Sequence, residues 1–169
     1  MELGALQGCF AVIREPGTPL AALLEAEGLA TVLAPDADRG LAHSLRAGFT
    51  ALERAAPSGP AAALVVLADQ PHLSPATIVA LVARWRETGA RAVRPRYSAE
   101  PDVPGHPVLV ERSLWPLVHR LEGDEGLGAV LQGGRVAVDV LPVEGRNPDI
   151  DTRADLAARD TPQETHRCD

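Results

Sequence analysis

The sequence predicts an α/β protein with a mostly parallel, doubly wound sheet, and three observations carry that expectation. Short apolar runs bounded by glycine, proline or charge alternate with longer stretches that bear an apolar stripe at helical spacing. The run Leu64–Leu67 is continuous rather than alternating, as a strand covered on both faces would be. No internal repeat or low-complexity segment breaks the alternation.

The elements follow in order. Gly8–Ile13 reads as a buried strand, and Pro19 opens a helix that ends at Gly28. Ala30–Pro35 reads as a second strand. Leu41–Ala55 places Leu41, Leu45, Phe49 and Leu52 on one helical stripe. Pro57–Pro60 is a loop and Ala61–Ala68 a strand. Ser74 is an N-cap with Pro75 in the first turn, and Ile78, Leu81, Val82 and Trp85 form the packing face of the helix that Gly89 ends. Arg91–Pro95 is a strand, Pro95–Pro107 a long polar loop, and Pro107–Val110 apolar again. Ser113 is expected to cap a helix containing Leu114, Leu117, Val118 and Leu121, and Gly123–Gly134 a short helix between glycines. Val136–Val143 is the last strand, and Thr152 caps a terminal helix with Asp155 at the third position. Residues 1–159 are expected to form one domain, with 160–169 a flexible tail.

Bulk composition excludes several classes of function. A net charge of −7 argues against a general nucleic-acid binder, which needs a basic face to release counterions. It leaves room for one small nucleotide, whose phosphates a metal and backbone amides can carry. The two cysteines, Cys9 and Cys168, have no metal-ligand spacing and no disulfide framework, so a reducing cytoplasm is expected. No stretch approaches the roughly 18 consecutive apolar residues of a membrane helix, and no signal peptide opens the chain. No G-x-G-x-x-G turn supports a dinucleotide oxidoreductase, and no G-x-S-x-G elbow supports a serine hydrolase.

The residues suited to chemistry lie where strands end. In open parallel sheets ligands bind beyond the carboxyl ends of the strands, and Asp69 of Asp-Gln-Pro stands at such an end. A carboxylate there suits Mg²⁺, which takes oxygen ligands from one or two carboxylates plus substrate phosphates; a plain turn explains the same residues about as well. Asp149 and Asp151, two apart after the last strand, share one face of an extended segment, although Asp151 and Thr152 also suit helix capping. Gly105 and His106, between Pro104 and Pro107, make a constrained turn with a donor for an anion, or a surface turn and nothing more. Gly40 before a helix leaves amides free for a ribose or base, with Ser44 one turn on; an ordinary amphipathic helix start accounts for these as well.

These stretches stand in a set order: Gly40–Gly48 "GLAHSLRAG", Leu64–Pro75 "LVVLADQPHLSP", Pro104–Val110 "PGHPVLV" with "LW" and "LEGDEG", and Asp149–Leu156 "DIDTRADL". The sequence from about Gly8 to Leu156 resembles the MobA-like nucleotidyltransferases, and within them the molybdenum-cofactor cytidylyltransferases. The resemblance implies a three-layer α/β/α, Rossmann-like nucleotidyltransferase fold. It implies transfer of a nucleoside monophosphate, CMP above others, from NTP to a phosphorylated acceptor of molybdopterin type, with release of pyrophosphate. By the same resemblance Asp69 is a metal-binding aspartate, and Asp149 and Asp151 are the carboxyl-terminal pair near the same Mg²⁺. Gly40 and Ser44 lie near the nucleotide base, whereas Gly105, His106 and Pro107, with Gly123 and Asp124, face the acceptor; Gly126 completes the Gly-Asp-x-Gly element. A molybdoenzyme partner and a homo-oligomer are the assemblies it suggests.

Two departures qualify the resemblance. The arginine usual after Gly-Asp-x-Gly is replaced by Leu127 and Gly128. More importantly, the family's opening loop, Leu-Ala-Ala-Gly-x-Ser-x-Arg-Met-Gly followed by lysine, has no counterpart, and all 16 basic residues are arginines. The expectation is therefore an N-terminally truncated fold lacking one strand–loop–helix unit of about 30 residues. Loss of one preorganised donor costs about 100- to 1,000-fold in rate, and loss of a phosphate loop should cost more. Three explanations stand side by side: a start upstream of Met1, an inactive truncated paralogue that binds a cofactor or partner, or a loop supplied by another chain.

Overall fold

Local capping chemistry sets where the helices begin in the computed structural model, which describes residues 6–55, 59–132, 134 and 136–159. After strand β1 (Phe10–Ile13), Thr18 accepts a hydrogen bond from the Ala21 amide at 3.1 Å and starts α1 (Pro19–Ala26), which leads to β2 (Ala30–Leu33). Gly40, at φ 124, turns the chain into α2 (Leu41–Ala55), followed by β3 (Ala62–Val65). Ser74 accepts from the Thr77 amide at 3.1 Å, α3 (Pro75–Thr88) follows, and Gly89 closes it in the left-handed conformation. Then come β4 (Ala92–Tyr97), β5 (Val108–Glu111), the short helices α4 (Trp115–Val118) and α5 (Leu127–Leu131), β6 (Val138–Val143) and α6 (Arg153–Arg159).

The strands form a two-stranded parallel sheet, β1-β2, and a four-stranded sheet in the order β3-β5-β4-β6. β4 and β6 are parallel, while β5 is antiparallel to both of its neighbours, so β3, β4 and β6 run one way and β5 is reversed. That reversal was not foreseen, and it matters for the site. It places the start of β5 beside the end of β3, with Val108 opposite Val65.

Side-chain alternation makes the layers. Ala92, Val108 and Val110 face a core with Phe49 of α2, Trp115 and Val118 of α4, and Leu127 of α5. Val93 and Leu109 point the other way, onto Leu81 and Val82 of α3. Trp115 is anchored by its indole N–H to the Val110 carbonyl at 3.2 Å and meets Phe49 edge-on at 5.5 Å between centroids. Helices on both faces of a mixed sheet give the three-layer α/β/α arrangement.

Several sequence expectations change. β3 lies at the edge of its sheet and pairs only with β5, so among its four residues Ala63 alone is buried, and Val66 just beyond is 49% exposed. A continuous apolar run therefore does not here mean cover on both faces. Glu111, not Ser113, caps the turn after β5, because its carboxylate accepts from the Ser113 amide. The helix expected over Leu114–Leu121 is an α-helix only over Trp115–Val118. Thr152 and Asp155 form the expected reciprocal capping box at the start of α6. The expected tail, 160–169, with Cys168, lies outside the described residues; Cys9 is exposed. Among the described residues no helix is long and apolar enough to cross a membrane.

Candidate active site

Topology brings three separate pieces of sequence to one end of the larger sheet. β3 ends before Asp69, β6 ends before Asn147, and the reversed β5 begins just after Gly105–Pro107. Hydrogen bonds lock these pieces together. The Ile150 amide donates to the Asp69 carbonyl at 2.8 Å. Gln70 Nε2 donates to Asp149 Oδ1 at 2.6 Å, and Asn147 Nδ2 donates to Gln70 Oε1 at 3.0 Å. Asp69 and Asp149, 80 positions apart in sequence, are thus neighbours, and both carboxylates are exposed to solvent.

The 104–107 loop is fixed from beneath. Tyr97 Oη donates to the His106 carbonyl at 2.9 Å, and Asn147 Nδ2 reaches the same carbonyl at 3.4 Å. Arg94 directs Nε and Nη2 onto the Gly105 carbonyl at 3.2 and 3.1 Å. A Cβ on Gly105 would overlap the Pro95 carbonyl, so only glycine allows this approach. The His106–Pro107 bond is cis, and Pro107 is buried.

Burial holds His106 below the ordinary histidine range, and the nearby Arg94 charge adds to this; Asp149 and Asp69 pull the other way. The imidazole therefore feels both the Arg94 cation and the acidic pair. Burial also lowers the Arg94 pKa and raises that of Tyr97. His106 Nδ1 and Asn147 Oδ1 are both buried without a hydrogen-bond partner among the described residues.

A second cluster gathers at the start of α2. The Gly123 carbonyl accepts from the Ala42 amide at 3.0 Å, and a Cβ on Gly40 would strike Gly123. One of the amides expected to be free for a ligand is therefore used to hold the 122–126 turn. Ser44 is half-buried on the first turn of α2, while Gly123 and Asp124 are exposed. Asp151 is exposed beside the α6 cap, and Thr152 does the capping.

The chemistry of the acidic pair suits a hard divalent cation, since oxygen is the only donor type that Asp69 and Asp149 present. Among the described residues, no group of three or more His, Cys, Asp or Glu side chains could hold a metal ion. Mg²⁺ commonly takes one or two carboxylates and completes its shell with water and phosphate oxygens. Gln70, Tyr97, Arg94 and Asn147 escaped the sequence reading. Arg94 left one signal, a guanidinium in the middle of β4.

The family model of the MobA-like NTP transferase domain matches residues 3–140. The structure resembles the crystal structure of Rv0371c from Mycobacterium tuberculosis H37Rv, with 27% identity and a TM-score of 0.67 over 90% of this chain and 75% of that one. A structure of Rv0371c in complex with manganese aligns with 29% identity and a TM-score of 0.61, over 83% of this chain and 72% of that one. Molybdopterin-guanine dinucleotide biosynthesis protein A from Archaeoglobus fulgidus shares the fold at 18% identity and a TM-score of 0.56, over 82% of this chain and 65% of that one. No curated protein sequence matches the chain at a significant level.

Proposed function

The chain belongs to the MobA-like NTP transferase domain family, and from that premise we propose that it transfers CMP from CTP to a phosphorylated acceptor of molybdopterin type. The observation that carries this reading is the convergence of Asp69 and Asp149 through the Ile150–Asp69 and Gln70–Asp149 hydrogen bonds. In the reaction an acceptor phosphate oxygen attacks the α-phosphorus, a new P–O bond forms, and the bond to pyrophosphate breaks. Mg²⁺ bound by Asp69 and Asp149, with Asp151 beside them, would neutralise phosphate charge and orient the α-phosphate. The manganese complex of Rv0371c supports a divalent cation in a related protein.

The chain's own residues do the positioning. Gln70 fixes the Asp149 carboxylate, and Asn147 fixes Gln70. Gly105, His106 and Pro107 present the acceptor side, steadied by Tyr97. Gly40 and Ser44 are assigned to the nucleotide, and Gly123 and Asp124 to the acceptor. No covalent intermediate is required; positioning and electrostatics supply the rate.

A second reading is a binding module without turnover, favoured by one observation: the Ala42 amide at the start of α2 is spent on the Gly123 carbonyl rather than left for a nucleotide. The test is pyrophosphate release from CTP and from GTP with a molybdopterin acceptor and Mg²⁺. Release that needs acceptor and metal together, and favours CTP, supports the transferase. Binding of the acceptor with no release under any condition supports the module.

A further inference from the structure

Alternation along β4 puts Arg94 and Arg96 on the face that Ala92 shares with Phe49, Trp115 and Leu127. Val93, on the opposite face, packs against α3. The two guanidiniums lie toward the carboxyl end of the strand, the end at which the site is built. Ion pairs among the described residues use Arg14, Arg39, Arg84 and His119 as their cations, and neither Arg94 nor Arg96 has a carboxylate partner there.

Arg94 is half-buried, and its two bonded donors converge on one neutral carbonyl. A carbonyl satisfies hydrogen bonds but does not neutralise the charge. Taking a cation out of water costs several kcal/mol unless an opposite charge meets it. A protein with a net charge of −7 has carboxylates to spare, yet among the described residues none comes within ion-pair distance of Arg94. The lone cation is thus matched to an anion from outside the chain.

We propose that Arg94 and Arg96 form a phosphate-binding subsite for the phosphate monoester of the acceptor. A planar guanidinium offers paired donors that match phosphate oxygens, and two residues on one face of a strand can grip one group together. Arg94 also holds the Gly105 carbonyl, so the subsite is fixed to the loop that carries His106. Identification of the anion as the acceptor's rests on the transferase reading; the phosphate chemistry itself does not. The triphosphate of the nucleotide is the other source of the same chemistry.

Solution NMR of the full chain separates these sources by following the arginine Nε–H signals. Inorganic phosphate alone and Mg²⁺–CTP alone are titrated into the wild type, Arg94→Gln, Arg94→Lys and Arg96→Gln. Gln at 94 removes the charge while retaining an amide donor for the Gly105 carbonyl, and Lys restores the charge. The proposal expects saturable phosphate binding that moves both arginine signals and weakens at least about tenfold in Arg94→Gln. It expects partial recovery in Arg94→Lys, weakening in Arg96→Gln, and Mg²⁺–CTP affinity unchanged in all three. Phosphate binding that is absent in the wild type, or undiminished in Arg94→Gln, overturns it and leaves Arg94 as a loop staple. Loss of Mg²⁺–CTP affinity in Arg94→Gln overturns the acceptor assignment in favour of the triphosphate. The phosphate arm uses neither metal nor nucleotide, so failure of the transferase reading would appear separately, as absent Mg²⁺–CTP binding in the wild type.

Discussion

Gln70 donates its amide proton to Asp149 at 2.6 Å, tying the turn after β3 to the segment after β6. Hydrogen bonds to a charged acceptor contribute about 1.5–3 kcal/mol where solvent is limited, and this one is exposed, so the low end applies. Gln70→Leu should leave the fold intact and free the Asp149 carboxylate to rotate. The expected result is Mg²⁺-dependent CTP binding weaker by about tenfold, with the melting temperature lowered by only a few degrees. Unchanged affinity by calorimetry would mean that Asp149 needs no such support.

Gly40 carries a different kind of constraint. Its φ of 124 is strained for any other residue, and a Cβ there would overlap the Gly123 backbone. Gly40→Ala should cost about 2 kcal/mol or more, as strain and overpacking add. Chemical denaturation reads this directly. A loss below about 0.5 kcal/mol would show that the 122–126 turn moves aside freely.

Tyr97 tests the 104–107 loop. Its hydroxyl donates to the His106 carbonyl while the ring is buried. Tyr97→Phe removes one hydrogen bond and keeps the packing, so stability should fall by about 1 kcal/mol. Under the transferase reading, KM for the acceptor should rise while KM for CTP holds. An equal rise in both would indicate that the loop serves the nucleotide.

Much of the fold was legible because helix starts are local chemistry. Ser74-Pro75 and Thr152 with Asp155 act through side chains three residues apart. The reversal of β5 was not legible, since an apolar Pro107–Val110 run carries no direction. Nor was the edge position of β3, which depends on its pairing partners rather than on its own residues. At the site, Asp69 and Asp149 stood out by motif. Asn147 did not, because its role is to bridge Gln70 and the His106 carbonyl, a relation between three loops. Gly40 was read as a place for ligand, whereas the Ala42 amide beside it is spent on Gly123.

Away from the site, Arg84 and Asp139 link α3 to β6 at 2.8 Å, with the Asp139 side chain only 19% exposed. The hydrogen bond from Arg84 holds the Asp139 carboxyl below the ordinary carboxylate range. The unfolded chain binds that proton near pH 3.9, roughly, and the folded chain only at lower pH. Between those values the unfolded state holds more protons, so stability rises with pH. The contribution is fully present above the unfolded pKa and is lost as pH falls through the folded one. Asp139→Asn should therefore be less stable than wild type at neutral pH, with the difference closing in acid. A difference that persists unchanged into acid would contradict the ion pair as its source.

Asp69 and its partners are proposed to form a metal-dependent nucleotide site. Calorimetric titration of CTP into the chain, with and without Mg²⁺ and beside Asp69→Asn, tests it most directly. Binding should require Mg²⁺ and disappear in Asp69→Asn, while the melting temperature of the variant stays near wild type. Binding that ignores Mg²⁺, survives the substitution or never occurs would contradict it.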